Sequence, residues 1–242
     1  MNTIKIRKKN VKMIAHRGLS GLERENTNAA FVAAGNRESY FGIETDVHCT
    51  KDGGVVIFHD DSTARVGLDR LVIEESTFET LRKLQLTDVD GKRGRTDLVI
   101  PELMEYIRIC QKYEKVAVLE LKNEMTPDNV YTIVEKIRES GYPEQVIFIS
   151  FALNNLIALK EKYPELKAQY LLEEWGEDSL AILKQYDLGL DIYHRALTPE
   201  VVDKVHGAGK EVNVWTVDDP QDAEKLIEMG VDYITSNILE GI

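Results

Sequence analysis

Three pairs of residues stand out because their types and spacing could do chemistry together. They are His16 with Arg17, Glu44 with Asp46, and Glu120 with Lys122; His59-Asp60 and Trp215 complete the set. Residues two apart on a strand share a face, so Glu44 and Asp46 point the same way, and so do Glu120 and Lys122. Three carboxylates (Glu44, Asp46, Glu120) converging on one desolvated pocket would repel each other severely. A divalent cation resolves that conflict, and all-oxygen ligation favours a hard ion, Mg2+ or Ca2+. Of two histidines near such a site, one can take a proton from a nucleophile and the other give one to a leaving alkoxide, both near neutral pH. Arg17 and Lys122 can hold non-bridging phosphate oxygens where charge builds in a transition state. Phosphodiester hydrolysis uses that combination.

Taken singly, each residue has a plainer explanation. A lone histidine at a strand end is more often structural, and Glu44 with Asp46 fits an exposed alternation on an edge strand. Arg17 and Lys122 could simply neutralise carboxylates, and Trp215 could be core. Convergence favours the chemical reading: seven ionisable residues fall at the same end of four segments, which surface solvation has no reason to arrange.

The elements that must position them alternate short apolar β-runs with amphipathic helical stretches, the pattern of a parallel α/β sheet. Strands are expected at 12–16, 42–50, 115–122, 145–151, 167–172, 189–193, 211–217 and 231–235. Eight such units in 242 residues match a (β/α)8 TIM barrel, whose chemistry sits at the carboxyl ends of the strands. A further run, 55–59, follows the second strand after Lys51-Asp52-Gly53-Gly54. Asp-Gly signals a hairpin, and so short a link cannot make a parallel crossover. The run is therefore expected to return antiparallel and lay His59 near Glu44 and Asp46. Thr126-Pro127, Thr198-Pro199 and Asp219-Pro220 predict helix starts, and Gly141, Gly209 and Gly230 predict helix ends. Residues 61–100 form the longest connection, with one helix expected around 75–84. This segment is expected to be an insertion over the catalytic face of a single domain spanning 1–242.

Bulk properties narrow the function further. A net charge of −12 lacks the basic footprint that nucleic acid requires and disfavours anionic membranes. The basic opening Lys5-Ile6-Arg7-Lys8-Lys9 leads into no apolar run of the kind a secretory leader carries. A cytoplasmic protein without stable membrane association is expected, with Cys49 and Cys110 as reduced thiols.

Several blocks together resemble the glycerophosphodiester phosphodiesterase family. His16-Arg17-Gly18 with Glu25-Asn26-Thr27 is similar to its opening signature. Glu44-Thr45-Asp46-Val47, Thr50-Lys51-Asp52-Gly53 and His59-Asp60 match its second block in order and spacing. Pro101-Glu102-Leu103, Leu119-Glu120-Leu121-Lys122, Ser150-Phe151, Val214-Trp215-Thr216-Val217 and the closing 230–236 fit its later elements, so the resemblance covers 11–237. It implies a TIM barrel that hydrolyses glycerophosphodiesters to sn-glycerol 3-phosphate and an alcohol. It further implies His16 and His59 as general base and acid, and Glu44, Asp46 and Glu120 as ligands of one divalent cation. Arg17 and Lys122 would contact phosphate. Apart from the resemblance, Phe151 and Trp215 are expected to pack against the substrate. A route through a cyclic phosphate, with the glycerol 2-hydroxyl as nucleophile, stays open.

Two departures bear on the site. Arg24 stands where the family usually has proline, predicting a less rigid loop, and Asp61–Gly67 replaces the usual stretch after His59-Asp60. Glu25 is expected to touch the metal, the substrate or the loop backbone. Mostly polar mouth loops favour water-soluble diesters such as glycerophosphocholine. An apolar wall of Phe151, Leu172, Trp175 and Trp215 would instead suit a lysophospholipid, the substrate of a lysophospholipase D. A catalytically silent barrel would lack a histidine or a carboxylate, and all five are present.

Overall fold

The computed structural model describes residues 2–67 and 69–242. Its strands are β1 (Ile4–Ile6), β2 (Lys12–Ala15), β3 (Tyr40–Cys49), β4 (Val55–Ile57), β5 (Val116–Leu121), β6 (Val146–Ser150), β7 (Lys167–Leu172), β8 (Gly189–Tyr193), β9 (Val212–Trp215), β10 (Tyr233–Ser236) and β11 (Leu239–Gly241). The helices are α1 (Asn28–Gly35), α2 (Phe78–Arg82), α3 (Leu103–Lys112), α4 (Pro127–Glu139), α5 (Leu153–Lys162), α6 (Ser179–Gln185), α7 (Pro199–Gly207) and α8 (Pro220–Met229).

Eight strands pair in parallel around a closed ring in the order β2-β10-β9-β8-β7-β6-β5-β3, and β3 returns to β2. This is the TIM barrel expected from the alternating pattern. Inward-facing Ile14, Val118, Ile147, Ile149, Leu171 and Tyr233 fill its interior. Outward-facing Ile43, Val47, Ala117, Leu119 and Phe148 pack beneath the helices in a separate layer. Strands covered on both faces read as continuous apolar runs, which is why they are recognisable without alternation.

The short run after Gly53 is antiparallel, as the turn chemistry requires. Val47 faces Ile57 and Cys49 faces Val55, and Gly53 takes φ 79° in the turn. Residues 61–100 carry their own apolar cluster, in which Ile73, Leu81, Leu86 and Leu98 gather beneath Phe58. Its helix, α2, is shorter than the expected 75–84 because Thr77 caps it through Thr80 N and the turn ends by Lys83. Thr126 and Asp219 cap α4 and α8 through their side chains; Thr198 makes no such bond, so its helix starts on proline alone. Gly141, Gly209 and Gly230 all adopt positive φ just after helices.

One feature escaped the sequence reading. β1 pairs in parallel with β11, Ile4 opposite Leu239, clasping the two ends of the chain together. Glu240 anchors this clasp, accepting from Thr3 and Ser39 and pairing with Lys5 and Arg37. Among the described residues no helix is long and apolar enough to cross a membrane.

Candidate active site

The carboxyl ends of β2, β3 and β5 and the hairpin return meet around a cavity of about 80 Å3. His16, Arg17, Glu44, His59 and Glu120 line it, together with Phe151 and Trp215. Asp46 and Lys122 stand against them, with Lys122 Nζ 2.8 Å from Glu120 and 3.7 Å from Asp46. All nine residues singled out from the sequence are thus brought together. The expected apolar wall is corrected in two places: Leu171, not Leu172, lines the cavity, because alternation along β7 turns Leu172 out toward the helix layer. Trp175 also packs on that outer layer. A larger depression, about 300 Å3, lies between Lys160, Asp187, Lys210 and Glu211. There Lys160 and Lys210 are already paired with Asp187.

Glu44, Asp46 and Glu120 each offer an oxygen within 4.8 Å of the others, and all three are buried. Burial first, then the charge of Asp46, pushes Glu44 well above the usual carboxylate range and Glu120 up to about 8. Asp46 goes the other way: against its burial, Arg17, His59 and Lys122 draw it down to about 2. Asp46 Oδ1 is buried without a hydrogen-bond partner. Three crowded carboxylates, two of them resisting ionisation and one with an orphaned oxygen, fit a hard divalent cation.

Backbone geometry aims these groups. Arg17 sits at φ 53°, which lets its own N–H donate to Glu44 Oε2 at 2.7 Å. Gly18 follows at φ 75°, where a Cβ would lie 2.6 Å from the backbone of Ala30, so only glycine fits. Asn26, itself at φ 54°, donates to Asp46 Oδ2 at 2.7 Å and accepts from Thr45. It holds the carboxylate in place. Arg17 Nε lies 3.6 Å from Asp46 and has no hydrogen-bond partner, so a buried donor is left facing the site.

The two histidines have different orienting partners. His16 Nδ1 lies 2.7 Å from Asn237 Oδ1, and the Asn237 amide nitrogen donates to Asp218 at 2.6 Å. Asp218 thereby fixes the amide, so His16 Nδ1–H donates and Nε2 keeps a free lone pair. Burial, then Arg17, lowers His16 to about 4 and keeps it neutral. His59 Nδ1–H donates instead to the Asp60 carboxylate at 2.7 Å. Arg65 grips Asp60 through Nε and Nη2, and grips Glu25 as well, which in turn pairs with Arg17 at 2.9 Å. Glu25 is therefore a brace between two guanidinium groups. Arg24 also departs from expectation: it donates to the Thr87 and Asp88 carbonyls and ties the loop to the insertion.

Residues 16–240 match the model of the glycerophosphoryl diester phosphodiesterase family. The chain belongs to this family. It is an enzyme, a phosphodiesterase, and its barrel has the family's architecture. It is 30% identical over 232 residues to a glycerophosphodiester phosphodiesterase of Caldanaerobacter subterraneus, covering 93% of each chain. A phosphodiesterase from Oleispira antarctica, solved with the product sn-glycerol-3-phosphate, superposes with a TM-score of 0.87 at 28% identity, over 94% of this chain and 93% of that one. A glycerophosphodiester phosphodiesterase from Thermotoga maritima gives 0.76 at 27% identity, over 94% of both. Asn26, Arg65, Asp218 and Asn237 surround the phosphodiesterase site without having been picked out from the sequence. Asn26 lies within Glu25-Asn26-Thr27, but nothing in an isolated asparagine says that it orients a carboxylate.

Proposed function

We propose that the chain hydrolyses glycerophosphodiesters to sn-glycerol 3-phosphate and an alcohol, with His16 as general base and His59 as general acid, in one catalytic unit with 61–100 as an insertion. The observation that carries the assignment of roles is the inequality of the orienting partners. A neutral amide oxygen on Nδ1 stabilises an imidazolium far less than a carboxylate does. His59, backed by Asp60, is thus the better holder of a proton, and neutral His16 the better acceptor.

Glu44, Asp46 and Glu120 would hold one divalent cation, Mg2+ or Ca2+, which when bound supplies charge neutralisation and polarises a phosphoryl oxygen. Arg17, through its unpartnered Nε, and Lys122 bind the non-bridging oxygens. The attacking oxygen, of water or of the substrate's own 2-hydroxyl, gives its proton to His16 Nε2. His59 Nε2–H protonates the departing alkoxide. Phe151 and Trp215, edge to face at 5.5 Å, pack against substrate carbons at the mouth.

The product held by the Oleispira relative supports the substrate class. The polar and charged side chains that line the cavity, His16, Arg17, Glu44, His59, Glu120 and Asp191, suit a small polyol phosphate, which favours soluble, cytoplasmic diesters over lysophospholipids. The test is kcat/KM for glycerophosphocholine against lysophosphatidylcholine below its micellar concentration. A clear preference for the deacylated diester is expected. A tenfold preference for the acylated one, ~1.4 kcal/mol of transition-state binding, would move the assignment to lysophospholipase D chemistry.

A further inference from the structure

The wall facing the carboxylates carries a polar group that the roles above leave unused. Asp191 lies on β8, four strands around the ring from β3, lines the same cavity and is 2% exposed. Its Oδ1 has no hydrogen-bond partner. Asn213, opposite Asp191 on β9, bonds the Asp191 carboxyl, donates to Gln169 at 3.3 Å and accepts from Thr235 at 3.2 Å, so it has nothing left for Oδ1. The interior network closes without Asp191 Oδ1. Buried polar groups are nearly always satisfied, so an orphan in a cavity wall marks a place for a ligand atom. A second orphan lies one layer nearer the mouth on the same wall, the Trp215 indole Nε1–H.

The chemistry of the missing partner follows from its surroundings. The cations that would bind phosphate stand with the carboxylates of β3 and β5, which puts the phosphate on that side of the cavity. A hydroxyl suits Asp191 whether the carboxyl is charged or neutral, because a hydroxyl both donates and accepts. Ile149, Leu171 and Phe151 offer the rest of the wall to carbon. We infer that Asp191 is a specificity-determining residue that hydrogen-bonds the free terminal hydroxyl of the substrate's glycerol moiety. This rests on the proposed hydrolysis of glycerophosphodiesters and adds what makes the site choose glycerol.

The test compares glycerophosphocholine with 2-hydroxypropyl phosphocholine, which keeps the hydroxyl beside the ester carbon and lacks only the terminal one. The intact enzyme should favour glycerophosphocholine. Asp191→Leu, close in shape, should lose about tenfold to a hundredfold in kcat/KM for glycerophosphocholine, the usual range for a lost bond to a buried charged or polar group. It should lose little for the propyl analogue, so that the preference collapses. Asp191→Asn, which can still bond a hydroxyl, should keep part of it. An unchanged preference in Asp191→Leu, an equal loss on both substrates, or a variant that cannot fold would each overturn the inference, the last two by making Asp191 structural. An intact enzyme inert to both substrates would overturn the proposed function itself, and this inference with it.

Discussion

His16 and His59 differ by one partner each, and that difference makes opposite predictions about leaving groups. General acid–base groups contribute roughly 10²–10⁴-fold in rate. Both His16→Ala and His59→Ala should lose at least about that much on glycerophosphocholine, while far-UV circular dichroism stays unchanged. With a 4-nitrophenyl ester, whose leaving group needs no proton, His59→Ala should recover most of its rate and His16→Ala should not. His206→Ala serves as a control, since its ring pairs with Asp232 outside the site. The orienting relay is open to its own test. Asn237→Ala should lower kcat by on the order of tenfold or more with KM little changed, and nitrogen NMR should show His16 no longer held with its proton on Nδ1. A normal tautomer with normal kcat would remove Asn237 from the account. At this scale the charged residues were legible because strands place i and i+2 on one face. Asn237, Asp218 and Arg65 were not, since they act through loops whose course no periodicity encodes.

At the scale of elements, the hairpin delivers His59 to the site and the insertion stabilises its position. Phe58 N–H donates to the Asp46 carbonyl, so the turn at Gly53 sets how far His59 stands from the carboxylates. The length of the link and its Asp-Gly made this return readable in advance. The β1–β11 clasp was unreadable for the opposite reason: its strands have three residues each and lie at opposite ends of the chain. Arg65 is the element-level link between insertion and site. Arg65→Ala should cost little stability, because its side chain is 45% exposed and exposed ion pairs contribute about 0–1 kcal/mol. It should nevertheless lower kcat several-fold, by releasing Asp60 from behind His59. An Arg65→Ala enzyme with normal kcat and a lowered Tm would show that the residue only braces the loop.

At the scale of the whole molecule, a cation on the buried carboxylates would couple stability to pH. Without metal, Glu120 titrates at about 8 against an ordinary value of 4.5. Between those values the folded state binds more protons than the unfolded chain, so this group's contribution to stability falls as pH rises toward 8. A bound cation would take the place of those protons. The rise in Tm on adding Mg2+ or Ca2+ should therefore be larger at pH 8 than at pH 6, at about 2–4 °C per kcal/mol for a chain of this size. An increment independent of pH would mean that the cation binds elsewhere. The central claim, that the three carboxylates hold a catalytically required cation, is tested most directly by coupled assay of glycerol 3-phosphate released from glycerophosphocholine after exhaustive chelation. The account predicts no product from the stripped enzyme, and full activity once Mg2+ or Ca2+ is restored. Undiminished turnover by protein shown metal-free by elemental analysis would contradict it.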